Sequence, residues 1–267
     1  MSNNSVIGNS IRRPAGSPAS TRVVAVGRLL AAALLALVLA ACSSAAQTQI
    51  PGGPLEHLPS TITDGTNPAE GGDSCVVENR SFDDDVTVPK DLVCTFNNVT
   101  INGNLILAPG ARVDATGGHV DGNVLVYPNA KYVATGTSIN GNVQAERATL
   151  IDIEDVQLNG NVQTWRTASL VVTGGSTSDI QPERNGTVTV VGVQVDGNIQ
   201  PEKNTDMVTI NNNRVYGDVQ PKENTGGVTI NNNEILGNLQ CESNVPAPTG
   251  SGNTVHGDYD GQCSTLR

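Results

Sequence analysis

The chain has 267 residues, with 15 Lys and Arg against 26 Asp and Glu, a formal charge of −11 and only 3% aromatic side chains. An acidic excess of this size repels phosphate backbones and anionic headgroups, so nucleic acid is excluded as an expected partner. The charge identifies no positive partner.

Residues 1–28 contain Arg12, Arg13, Arg22 and Arg28 and no Asp or Glu, and a single apolar run follows from Leu29 to Ala41. A bilayer-spanning helix needs roughly 20 apolar residues, so this run is too short to span. A basic segment, a short apolar segment and small residues before a cleavage point define a secretory signal peptide over 1–41. Leu39-Ala40-Ala41-Cys42 resembles a bacterial lipobox. That resemblance implies cleavage before Cys42, lipidation of its thiol (diacylglyceryl with a fatty acyl chain such as palmitate) and a membrane-held N-terminus facing outside the cytoplasm. Two or more acyl chains anchor stably where one does not. Without residues 1–41 the chain keeps 11 basic and 26 acidic residues, formally −15.

Residues 42–73 are rich in Pro, Gly, Ser and Thr and carry no apolar period, which predicts a flexible tether. The folded domain is expected over 74–267.

That domain is written as a repeat. A Gly-Asn/Asp-aliphatic triplet begins at Gly103, Gly122, Gly141 and Gly160, degenerates to Ser178-Asp179-Ile180, and returns at Gly197, Gly217, Gly237 and Gly257. The spacing between successive triplets is thus nearly constant, and one further step back reaches Asp84-Asp85-Val86. A period of roughly 20 residues held this steadily marks a solenoid. Short alternating runs such as Val188-Thr189-Val190-Val191 are strand formers, and Gly and Asn tolerate the positive φ of tight turns. No helical period of sufficient length occurs in the mature chain. The expectation is an all-β, single-chain parallel β-helix of about 10 coils, roughly 45–50 Å long at the spacing of paired strands.

The repeat also assigns directions. Ile101, Val120, Ile139, Leu158, Val195, Val215, Ile235 and Val255 form an inward ladder two positions before each triplet. Gln144, Gln163, Gln181, Gln200, Gln220 and Gln240 form an amide ladder, as do Asn185, Asn204, Asn224 and Asn244, and Asn213, Asn233 and Asn253. At this point the chain resembles the right-handed parallel β-helix proteins, the pectate-lyase-like solenoids, on segments such as Val228-Thr229-Ile230-Asn231-Asn232-Asn233-Glu234-Ile235-Leu236-Gly237-Asn238. The resemblance implies the fold, and that fold hosts lyases, hydrolases, adhesins and scaffolds alike.

Besides Cys42 there are four cysteines. Cys75 and Cys94 stand one full period apart, so they fall in adjacent coils, and Cys241 and Cys263 bracket the last coil. Stacked coils bring such pairs within disulfide range, so Cys75–Cys94 and Cys241–Cys263 are expected as staples at the two ends. Metal binding is the alternative, but no His or Cys beside them has a zinc spacing. The Val-x-Gly-Asn-Val rhythm is also similar to that of bactofilins, which polymerise through uncapped ends; export, the lipid anchor and the staples oppose that reading.

Candidate chemistry is sparse. An outward column reads Tyr127, Glu146, Trp165, Glu183, Glu202, Lys222 and Glu242, and the next reads Arg147, Arg166, Arg184, Lys203 and Glu223. Glu183 and Glu202, about 5 Å apart in adjacent coils, match the separation of a retaining glycosidase pair, but each has a basic neighbour, which favours a solvated charge lattice. Asp83-Asp84-Asp85 is a candidate Ca²⁺ cluster without the Gly-rich pattern of calcium-binding β-rolls. No catalytic constellation and no cofactor or metal site is assigned. Tyr127, Glu146, Arg147, Trp165 and Arg166 form the candidate ligand face, with two aromatics about 10 Å apart, a spacing suited to sugar rings. The expected function is a non-enzymatic cell-envelope lipoprotein, a rigid structural or binding module for a cell-wall or extracellular polysaccharide or a surface protein. The alternative is a polysaccharide-active lyase or hydrolase, which needs a loop-lined concave face that coils this regular do not supply.

Overall fold

The computed structural model describes residues 74–266. All the described residues belong to one compact unit. The expected signal peptide, the lipid attachment at Cys42 and the tether lie outside the described residues.

The coils contribute short strands to three parallel sheets, and the first six coils contribute to all three. The first sheet has nine strands, running from Ser74–Glu78 through Lys131–Thr135 to Val228–Asn231. The second has ten short strands, from Ser81–Phe82 to Thr254–Val255. The third has six, from Val86–Val88 to Ile180–Glu183. Partners in register lie one coil apart, as in Lys131↔Leu150 and Val143↔Val162. The chain is therefore a parallel β-solenoid of about ten coils, as its period predicts.

Alternation within each strand produces the core. Strands of the first sheet show buried residues at every second position, so Ile151 and Ile153 point inward while Leu150, Asp152 and Glu154 point out. The expected inward ladder is in place: Ile139, Val195, Val215 and Ile235 are completely buried, and only Val255, on the last rung, is half-covered. Thr177 occupies the same row in the degenerate coil and hydrogen-bonds its hydroxyl to the carbonyl of Gly160 at 3.0 Å.

The triplet glycines answer to space, whereas the sequence points to turn conformation. None of them has a positive φ. A Cβ at Gly141 would lie 2.4 Å from the carbonyl oxygen of Gly122, and one at Gly160 would lie 2.3 Å from that of Gly141. The coils approach one another too closely here for any side chain to grow from those backbones.

The third sheet ends for a chemical reason. Between Glu183 and Leu239 its coils meet only at isolated bridges such as Ile180↔Ile199 and Ile199↔Val219, and a continuous pair re-forms only between Leu239–Cys241 and Tyr259–Gly261. Pro182, Pro201 and Pro221 occupy the same inward position in successive coils, and proline has no N–H to give to a ladder. The Asn ladder takes over that corner. The carbonyls of Pro182, Pro201 and Pro221 accept from the side-chain amides of Asn204, Asn224 and Asn244 at 3.1, 2.9 and 2.8 Å.

Both expected disulfides are present, Cys75–Cys94 with Cα atoms 4.5 Å apart and Cys241–Cys263 with Cα atoms 5.2 Å apart. At the C-terminal end a 3₁₀ turn, Gln262–Thr265, closes the last coil. Cys263 and Leu266 are buried there, and the side-chain oxygen of Gln262 accepts from the backbone N–H of Asn244 at 2.7 Å, which terminates the Asn ladder.

Candidate functional site

The outer surface of the third sheet carries the expected ligand face. Gln144, Gln163, Gln181, Gln200, Gln220 and Gln240 stack with amide-to-amide hydrogen bonds of 2.9, 3.0, 3.1, 2.8 and 2.8 Å. A primary amide has two N–H donors and two acceptor lone pairs, and one of each suffices for the ladder. The half-buried row therefore presents a repeated donor and acceptor at the spacing of the coils, about 4.8 Å.

Two positions further along each strand lies the aromatic and acidic column. Glu146 pairs in register with Trp165, and Trp165 with Glu183. Val126 pairs with Ala145, so Tyr127, Glu146 and Trp165 occupy consecutive rungs. The structure thus brings together Tyr127, Glu146, Arg147, Trp165 and Arg166 on one edge of one face. The Trp165 ring is half-buried, where the sequence points to an open aromatic. Two guanidiniums cover it, that of Arg166 at 4.2 Å and that of Arg147 at 5.3 Å from the ring centroid.

The cationic column has a backbone property that no residue count reveals. Arg147, Arg166, Arg184, Lys203, Glu223 and Ser243 all have φ between 51° and 56°. At the corner between the first and second sheets the left-handed positions are Asn79, Asn98, Gly117, Gly136, Asp155, Gly174, Gly192, Asn212, Asn232 and Gly252, all residue types that adopt this region readily. The cationic corner begins in the same way, with Asp91, Gly110 and Asn129, and then changes to long charged side chains. A left-handed conformation costs an ordinary residue about 1–2 kcal/mol.

Most of these charges are paired on the surface. Arg147 lies 3.7 Å from Glu146, Arg184 lies 3.4 Å from Glu183, and Lys203 lies against Glu202 and 3.7 Å from Glu223. Lys222 meets Glu242 in the next coil at 2.6 Å. The hydrogen bond to Glu202 is the main reason that Lys203 is held above the ordinary lysine range, against a smaller opposing effect of burial. Glu183 and Glu202, in register across adjacent coils, are each matched by a cation of their own corner. This is the alternating arrangement that a charge lattice requires. Arg166 differs: among the described residues it has no ion pair, because Trp165 stands where its neighbours have Glu.

The acidic triplet has structural work. Asp83 accepts from the side-chain amide of Asn102 at 3.2 Å, and Asp85 accepts from both the backbone and side-chain N–H of Asn104 at 2.7 and 2.9 Å. Asp85 starts a ladder that runs through Asn104, Asn123, Asn142 and Asn161, and in the Asp83 column Asp121 starts a separate one through Asn140 and Asn159. Among the described residues no group of three or more His, Cys, Asp or Glu is placed to hold a metal ion. Comparison with family models, with curated proteins and with solved structures finds no match for this chain.

Proposed function

We propose that the protein is a lipid-anchored envelope rod, attached at Cys42, whose third sheet binds a linear polysaccharide lying along the solenoid axis. The observation that carries this reading is the Gln144–Gln240 amide ladder with Trp165 and Tyr127 on the adjacent column. A polymer with a short repeat meets a Gln amide at each coil from Gln144 to Gln240, and an aromatic edge supplies apolar contact for a sugar ring. The uniform coils also favour a binding surface over an enzymatic cleft, since water-excluding chemistry needs a concave site. The lipobox-like Leu39–Cys42 and the acidic mature chain support an extracytoplasmic position and oppose nucleic acid as the partner.

Trp165 is the sole tryptophan, so its emission reports this face alone. Titration with soluble envelope and plant glycans is expected to shift that emission saturably. In pull-downs with the same insoluble polysaccharides, Trp165→Ala is expected to lose at least tenfold in retention. A flat emission titration together with undiminished retention of the variant refutes the assignment of the face.

A further inference from the structure

We infer that the corner formed by Arg147, Trp165 and Arg166 is a subsite for a carboxylated sugar, with the Arg166 guanidinium binding the carboxylate. This rests on the polysaccharide-binding reading and specifies its ligand class. The first support is the unpaired cation. Arg147, Arg184 and Lys203 each have a Glu neighbour within ion-pair distance, whereas the Arg166 guanidinium has none among the described residues and lies on the face of Trp165, at 4.2 Å. A cation–π contact engages none of the five guanidinium N–H donors, and these match a carboxylate in bidentate geometry.

The second support is independent and concerns the backbone. Arg166 has φ 54°, a conformation that Gly110 and Asn129 adopt without penalty in earlier coils of the same corner. A residue with a long cationic side chain is retained where a small one would relax the chain. Arg147, Arg184, Lys203 and Glu223 hold the same conformation with their side chains in ion pairs. Along this corner the strain thus accompanies an engaged charge, and Arg166 is the cation that carries it without a carboxylate among the described residues. A role in packing on Trp165 alone predicts the opposite for stability, a loss when Arg166 is shortened.

The surroundings narrow the ligand. Glu146, Glu183 and Glu202 line the same face, so a densely charged polyanion is repelled, while a single carboxylate flanked by neutral units is accommodated. The amide ladder beside it then meets the hydroxyl and acetamido groups of those neutral units. The chemistry is that of a heteropolysaccharide in which uronates alternate with neutral sugars.

The test uses one polymer in two forms: a glycan of alternating glucuronate and N-acetylglucosamine, and the same glycan with its carboxyl groups reduced to alcohols. The protein is expected to bind the acidic form at least tenfold more tightly, with the preference shrinking as salt is raised. In Arg166→Asn the preference is expected to collapse to within twofold, while the melting temperature stays level or rises because the left-handed strain is relieved. Equal affinity of the native protein for the two forms overturns the subsite and leaves the polysaccharide reading intact. A lowered melting temperature in Arg166→Asn with the acid preference unchanged shows Arg166 to be packing only. If neither form binds and no glycan moves the Trp165 emission, both readings fail together.

Discussion

At the scale of single residues, Tyr132 is the least expected member of the core. Its ring is fully buried in the row that runs from Cys94 and Val113 through Ile151 to Val228, beside the small side chains of Ala115 and Ala134. Its hydroxyl has no hydrogen-bond partner among the described residues. Burial disfavours the phenolate and pushes the group above the ordinary tyrosine range. The unfolded chain ionises near pH 10 while the folded one does not, so the folded state holds more protons in that region. The contribution of Tyr132 to stability is therefore constant below about pH 10 and falls as pH rises beyond it. Tyr132→Phe removes an unsatisfied polar atom at almost constant volume, and a gain of roughly 1 kcal/mol is expected at neutral pH. The alkaline unfolding midpoint, followed by circular dichroism, should move to higher pH in the variant. A loss of stability in Tyr132→Phe would mean that the hydroxyl has a partner.

At the scale of elements, the two kinds of amide ladder have different energetic weight because they differ in access to water. The Gln ladder is half-buried on the outside of the third sheet, while Asn185, Asn204 and Asn224 are fully enclosed. Each enclosed Asn serves both neighbouring coils. The side-chain oxygen of Asn224 accepts from the backbone N–H of Asn204 at 3.0 Å, and its amide nitrogen donates to Asn244 at 2.8 Å and to the carbonyl of Pro201 at 2.9 Å. Asn224→Leu keeps the branching of the side chain and strands these groups away from water, so a loss of at least about 1–3 kcal/mol is expected. Gln220→Ala exposes its neighbours to solvent that can replace the lost bonds, and its cost should stay below about 1 kcal/mol. Chemical denaturation of the two variants measures the difference. A cost for Gln220→Ala equal to that of Asn224→Leu would contradict the role assigned to enclosure.

For the whole solenoid, each coil touches only its neighbours, so the ends are where unfolding begins. The C-terminal end is held by three devices in one place: the Cys241–Cys263 bond, Gln262 on the last Asn, and buried Leu266. Replacing Cys241 and Cys263 by Ser releases a loop closed across a sequence separation of 22, for which chain entropy gives about 3 kcal/mol. The expected result is local. Amides of Leu239–Cys241 and Tyr259–Gly261 should exchange with solvent many times faster, while those around Ile139 and Ile151 keep their protection. Uniform loss of protection along the rod would show that the coils unfold as one cooperative block.

The near-constant period of the triplets determined the solenoid, its parallel register and the direction of almost every aliphatic side chain, because a stacked repeat places equivalent residues in equivalent environments. The same translation placed Cys75 over Cys94 and aligned the Gln rows. It also brought Tyr127, Glu146 and Trp165 onto consecutive rungs. Translation along the axis says nothing about what lies across it. Only the tertiary structure shows that the triplet glycines are required by contact between coils, that prolines break the third sheet, and that the Asn185–Asn244 and Asn213–Asn233 ladders are sealed inside while the Gln ladder faces water. It also decides that Trp165 lies beneath two guanidiniums and that the cations of that corner have left-handed backbones. Those properties depend on backbone angles and on packing across the coil, and a linear repeat encodes neither in its spacing.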